Sequence, residues 1–115
     1  MPDDQITVAD LRAQAEAFVA ERDWAQFHSP KNLSMAIAIE AAELMEHFQW
    51  LTVEESRNLV EEGITRGQVV DELADVLIYC LSLANVLDID LSEAIVRKLA
   101  RNARKYPADE YRGRF

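Results

Sequence analysis

Apolar residues recur at helical spacing in four long stretches of the chain. Val8, Leu11, Ala15, Phe18 and Val19 form an i, i+3, i+4 stripe that opens at Thr7, a plausible N-cap, and ends near Arg22 or Trp24. Residues 25–32 break the rhythm, with Pro30 disfavouring helix just before it. A second helix is predicted from near Asn32 to about Gln49. Thr52 and Glu55 then show capping-box spacing for a short helix, which Gly63 can end. Thr65 and Gln68 repeat that spacing at the head of a third long helix reaching about Leu87. Asp90 and Glu93 open a fourth, which must stop before Pro107. The fold expected is all-α and four-helix-bundle-like, with an extra short helix between the second and third long ones. A single domain over 1–115 accounts for the chain, with 1–6 and 108–115 as tails.

The third long helix departs from a simple amphipathic stripe. Val69, Val70, Leu73, Val76, Leu77, Ile78, Cys80, Leu81, Leu83, Ala84 and Leu87 leave little polar surface around it. A helix apolar on most sides is buried on most sides. It either occupies the centre of its own bundle or is covered by a second subunit. Few other helices are available, so a dimer or higher oligomer is expected.

Composition agrees with helices and narrows the setting. Three Gly and three Pro among 115 residues are too few for the turns of a sandwich or barrel. The net charge of −9 repels a nucleic-acid backbone, so no polymer partner is expected. Residues 1–96 hold 19 acids and 5 bases, whereas 97–115 hold 7 bases and 2 acids. The basic end is either a solvated face that suits its helix C-terminus or a cationic arm reaching an anion bound elsewhere. Cys80 is the single cysteine, the opening Met1-Pro2-Asp3-Asp4 lacks the parts of a signal peptide, and the apolar run from Val76 to Ala84 is too short to span a bilayer. A cytoplasmic protein without membrane contact is expected.

The chemistry lies in acids that adjoin apolar runs. Glu40 and Glu43 on the second helix, and Glu72 and Asp75 on the third, are each spaced i, i+3 and so share a face. Antiparallel packing would pool four carboxylates, with no Lys or Arg on either stripe to pair with them. The alternative is two solvated faces, but unpaired ions in a partly dry site cost several kcal/mol each. Such a set must take up protons or bind a cation, and an all-oxygen set suits Mg²⁺, with Mn²⁺ as substitute, over zinc. A di-iron site is disfavoured, because Glu43 and His47 stand at i, i+4 and the third helix has no His. No Gly-rich phosphate loop and no His-Glu-x-x-His motif is present. Mg²⁺ held by a few carboxylates and completed by substrate phosphates fits what remains.

Glu40-x-x-Glu43, 28 intervening residues and Glu72-x-x-Asp75 resemble the defining pattern of the MazG-like all-α nucleoside triphosphate pyrophosphohydrolases. Arg22-Asp23-Trp24, Gln26-Phe27-His28, Pro30-Lys31-Asn32, Phe48-Gln49-Trp50, Asp75-Val76-Leu77-Ile78-Tyr79 and Lys105-Tyr106-Pro107 look like the family's dCTP pyrophosphatase branch. The likeness covers roughly residues 8 to 108. It implies cleavage between the α- and β-phosphates of a nucleoside triphosphate, dependence on Mg²⁺, and a homodimer or homotetramer with active sites near subunit contacts. Glu40, Glu43, Glu72 and Asp75 would be the catalytic metal ligands, and spacing does not select the general base, for which Glu43 is the first candidate. Trp24 and Trp50 each flank a loop and serve either as base-stacking surfaces or as core anchors; the resemblance points both towards substrate. Gln26, Phe27 and His28 would contact substrate by the same resemblance, with His28 either a donor to phosphate or base or an ordinary loop histidine; Tyr79 offers a sugar contact or a core anchor, and Asn102 and Lys105 could bring the fourth helix to the triphosphate. That branch places a substrate-contacting His in the first helix where Ala15 stands here, which keeps dUTP or a broad range of nucleotides open as substrates. A non-catalytic helical dimerisation module is the competing class.

Overall fold

A computed structural model of the chain describes residues 1–58 and 66–114. Among them six α-helices and no strand are found: α1 (Val8–Glu21), α2 (Pro30–Glu46), α3 (Val53–Ser56), α4 (Arg66–Leu87), α5 (Leu91–Lys105) and α6 (Ala108–Tyr111). The four long helices and the short intervening one are those the sequence predicts. Gly63 and Thr65, expected as a helix stop and a helix cap, lie outside the described residues.

Local hydrogen bonding explains most boundaries. Thr7 and Asp10 exchange backbone-to-side-chain bonds of 2.9 and 3.1 Å, a complete capping box for α1. Thr52 and Glu55 do the same for α3 at 2.8 and 3.1 Å, and the Asp90 carboxylate accepts from the Glu93 amide at the head of α5. The second helix differs from expectation at both ends. It starts at Pro30 rather than near Asn32, because Ser29 caps it by accepting from the Asn32 amide and proline suits the first helical position, where no amide donor is needed. It ends at Glu46, three residues early, in a run of turns through Trp50. The C-terminal tail also carries structure, a single helical turn at α6 with Tyr111 edge-on to Tyr106, ring centroids 5.2 Å apart.

Two helices end on an aspartate in the left-handed region, Asp23 with φ 53° after α1 and Asp88 with φ 52° after α4. Aspartate tolerates that conformation better than most side chains. In each case the next amide folds back onto its helix, Trp24 to the Val19 carbonyl at 3.0 Å and Ile89 to the Ala84 carbonyl at 2.9 Å. The first of these reversals returns Trp24 onto α1, against the edge of Phe18.

Packing centres on α4, which α2 covers along one side and α1 along another. Arg12 locks α1 to the far end of α4: its guanidinium donates to the Asn85 side chain at 2.9 Å and to the Ile89 and Ala84 carbonyls at 2.5 and 3.2 Å. Asn85 returns a bond to the Arg12 carbonyl at 3.0 Å. A cation set among the last carbonyls of a helix also complements its dipole. Arg12→Ala is expected to cost about 2–3 kcal/mol, lowering Tm by about 10 °C for a domain of this size; differential scanning calorimetry checks it.

One chain does not close the bundle. Among the described residues only Leu33, Ser82 and Ala84 are buried, and the accessible surface of 9194 Å² exceeds the about 6,400 Å² expected for a compact monomer of this mass. The radius of gyration, 17.2 Å, likewise exceeds the about 13 Å expected. Val70, Leu73 and Leu77 on α4 stay half exposed, because α1 and α2 cover only part of its girth. Helix α5 makes no comparable interface with the other described helices and leaves Ile95, Val96 and Leu99 55–66% exposed. No described helix is long and apolar enough to cross a membrane.

Candidate active site

Packing of α2 on α4 brings the two acid pairs together. One carboxylate oxygen from each of Glu40, Glu43 and Glu72 lies within 4.8 Å of the others, close to the about 4–5 Å that separates two oxygens across a hard divalent cation. Asp75 lies beside them on the wall of an adjoining cavity that Glu40 also lines. Oε2 of Glu40 and Oε2 of Glu72 are both shielded from solvent and without a hydrogen-bond partner. Buried oxygens without donors are costly unless a proton or a cation satisfies them.

The electrostatics express that cost. Desolvation, a hydrogen bond shared with Glu43 and repulsion from Glu43, Asp75 and Glu72 push the Glu40 carboxyl up to about 7. Desolvation first, then Glu43 and Asp75, raise Glu72 as well, and only His47 opposes them. His47, the C-cap residue of α2, places Nε2 3.9 Å from Glu72 Oε1. The sequence contained a signal for this contact, since His47 stands one turn after Glu43 on the same stripe.

Because Glu40 holds its proton to higher pH in the folded chain than in the unfolded one, the folded state binds more protons between about pH 4.5 and 7. The contribution of this group therefore destabilises the cation-free protein as pH rises through that window. A divalent cation competes with the same proton. The rise in Tm on adding Mg²⁺ is thus expected to be larger at pH 8 than at pH 6, and thermal melts with and without the ion at both pH values check it.

A cavity of about 460 Å³ runs from Glu40 and Asp75 between α1 and α4. Leu11, Ala15, Phe18, Val19, Ile78 and Leu81 make it largely apolar, while Gln14, His28, Tyr79 and Ser82 add polar groups. Its volume and character suit a small organic ligand with a charged end at the carboxylates. Trp24 forms part of its wall and is held edge-on to Phe18, centroids 5.8 Å apart, while the Arg22 guanidinium covers Phe18 at 3.7 Å. His28 stands 6.4 Å, centroid to centroid, from Tyr79. Its loop is fixed by the Asn32 side chain, which donates to the Phe27 carbonyl at 3.1 Å.

Seven of the residues singled out from sequence thus gather here: Glu40, Glu43, Glu72 and Asp75 at the acidic end, with Trp24, His28 and Tyr79 along the cavity making the polar and aromatic wall. Others stand apart within this chain. Gln26 turns its amide back to Asp23, Phe27 lies exposed, and Trp50, in the turn after α2, is 87% exposed. Asn102 and Lys105 ride on α5 and do not line the cavity; the Lys105 ammonium sits 5.3 Å from the Tyr106 ring. On α1 only the position of Ala15 was expected near substrate; Leu11, Gln14, Phe18 and Val19 also line the cavity, and helical spacing marks them only as a face.

Residues 35–114 match the MazG-like family. The chain is 41% identical over 107 residues to dCTP pyrophosphatase 1 of Bos taurus, covering 93% of this chain and 63% of that protein. Identity to dCTP pyrophosphatase 1 of Homo sapiens is 43% over 102 residues, or 89% and 60% of the two chains. The chain therefore spans less than two thirds of the length of these relatives. A solved pyrophosphatase from Archaeoglobus fulgidus DSM 4304 superposes with a TM-score of 0.80 at 43% identity, covering 86% of this chain and 91% of that one.

Proposed function

This chain belongs to the MazG-like family, and from that premise and the carboxylate cluster we propose that it is a Mg²⁺-dependent nucleoside triphosphate pyrophosphohydrolase. It cleaves the α–β bond of dCTP, or of a modified cytosine deoxynucleotide, to a monophosphate and pyrophosphate, and so cleanses the cytoplasmic nucleotide pool. The observation that carries the reading is the pair of shielded, partnerless oxygens on Glu40 and Glu72 beside a ligand-sized cavity that Glu40 lines. The names of the relatives in cattle and humans supply the substrate.

Glu40, Glu43 and Glu72 would hold the ion, with Asp75 completing the set from the cavity side. Mg²⁺, or Mn²⁺ in its place, supplies neutralisation of phosphate charge and a water acidic enough for a carboxylate to deprotonate. Glu43 already shares a hydrogen bond with Glu40 and is the first candidate to receive that proton. Trp24 offers an indole face to the base, His28 a ring N–H to phosphate or base, and Tyr79 a hydroxyl to the sugar. The aliphatic side chains of α1 and α4 keep bulk water from the base end. Gln26, Phe27, Trp50, Asn102 and Lys105 do not line the cavity of their own chain and would reach a substrate across a subunit contact in a homodimer or homotetramer.

A second reading keeps the chemistry and widens the substrate to dUTP or other nucleotides, because Ala15 presents no hydrogen-bonding group to the cavity. A panel of deoxynucleoside triphosphates with Mg²⁺, its products resolved by chromatography, tests both. Monophosphate and pyrophosphate are expected; diphosphate and orthophosphate would refute the bond assignment.

A further inference from the structure

The cavity wall contributed by α1 is aliphatic or aromatic except at Gln14. Other amides nearby are committed: Gln26 to Asp23, Asn32 to the Phe27 carbonyl and Asn85 to the Arg12 carbonyl. Gln14 has no hydrogen-bond partner among the described residues. It is a donor and an acceptor side by side on a helix whose other cavity-lining residues are apolar.

Its level along the cavity follows from the Arg12–Asn85 lock. That contact brings this part of α1 to the level of Asn85 on α4, and Gln14, two residues from Arg12, lines the same cavity as Ser82. Ser82 is seven residues, about 10 Å, beyond Asp75 along α4. With phosphate at the carboxylates, that separation is the reach of a nucleotide to the far edge of its base.

We propose that Gln14 reads the 4-position edge of a pyrimidine base and, being held by no neighbour, accepts cytosine and uracil alike. The inference rests on the cavity being the nucleotide site. Cytosine presents an amino donor beside a ring acceptor; uracil presents a carbonyl acceptor beside a ring N–H. A primary amide matches the first pattern in one orientation and the second after a half-turn about its last side-chain bond. That torsion has two broad, near-equivalent settings. A locked amide would reject the wrong base by about 10⁴-fold, since buried polar groups would be left unpaired. The free amide of Gln14 removes that penalty.

The test compares kcat/KM for dCTP, dUTP and the triphosphate of 2-pyrimidinone deoxyriboside, which lacks the 4-amino group, in wild type and Gln14→Leu. Wild type is expected to use dCTP and dUTP within about tenfold of each other and to prefer dCTP over the pyrimidinone by about tenfold or more. In Gln14→Leu the preference over the pyrimidinone is expected to vanish. A role confined to helix stability would lower all three values together and leave that ratio intact, which overturns the proposal. A wild-type preference for dCTP over dUTP above about a thousandfold also overturns it, by showing the amide to be locked. Absence of hydrolysis of every nucleotide by wild type would instead refute the enzyme reading on which the inference stands. Circular dichroism of Gln14→Leu confirms that the exposed helix face has folded.

Discussion

Glu40→Gln is expected to lower turnover by about 10³-fold or more, while making the cation-free protein more stable at pH 8. The two effects share one cause. Glu40 is forced towards its neutral form by desolvation and by Glu43, Asp75 and Glu72, so above about pH 7 the folded chain carries an ionised carboxylate that it holds poorly. Glutamine has nearly the same shape, needs no charge, and can donate to Glu43. The stability gain should therefore be absent near pH 4.5, grow through about pH 7 and level off beyond it. Melts of both proteins across that range, without divalent ion, measure the gain. The same variant should lose most of the Mg²⁺-induced rise in Tm, since a cation loses one ligand and gains an N–H pointed at it. For a helical dimerisation module with solvated acids, neither turnover nor ion-induced stabilisation would be present to lose. Equal stability at pH 8, with no change in the response to Mg²⁺, would show that Glu40 does not face the cluster that its geometry describes.

Leu99→Glu is expected to convert the protein into particles of one chain's mass, 13.1 kDa, with turnover falling alongside. Helix α5 is strongly amphipathic: Arg97, Arg101 and Arg104 share one face, whereas Ile95, Val96 and Leu99 on the other find no cover in their own chain. Half-exposed Val70, Leu73 and Leu77 on α4 extend the uncovered surface. Each large aliphatic side chain is worth about 1.5–3 kcal/mol on full burial, so a second copy that covers these stripes gains enough to associate. A carboxylate at position 99 would have to be desolvated in that interface without a partner. Sedimentation equilibrium at micromolar concentration separates the outcomes. A wild type that already sediments as one chain would refute the oligomer.

Local rules carried much of this fold into view before any packing was known. Thr7, Thr52 and Asp90 cap the helices they were expected to cap, because a cap is decided by a side chain and an amide three residues away. The start of α2 was misplaced for a related reason. Pro30 breaks a helix from within but begins one from its first turn, and only the Ser29 bond to the Asn32 amide distinguishes the two. The run of turns after Glu46 has no such local marker.

The paired acids were legible as well, since i, i+3 spacing puts both members on one face of any helix. Their meaning required contact between α2 and α4. A sequence cannot say whether two acidic faces meet or point into water, and the desolvation and the repulsion between helices that help raise Glu40 and Glu72 depend on that packing. His47 and Gln14 gained significance in the same way, one from an ion-pairing distance and the other from facing a cavity without a partner. The apolar girth of α4 announced that something must cover it, while the packing of a single chain revealed how much remains uncovered. Periodicity and capping are short-range and written residue by residue; burial, proton affinity and cavity lining depend on which distant faces are pressed together, and that is settled only when the helices pack.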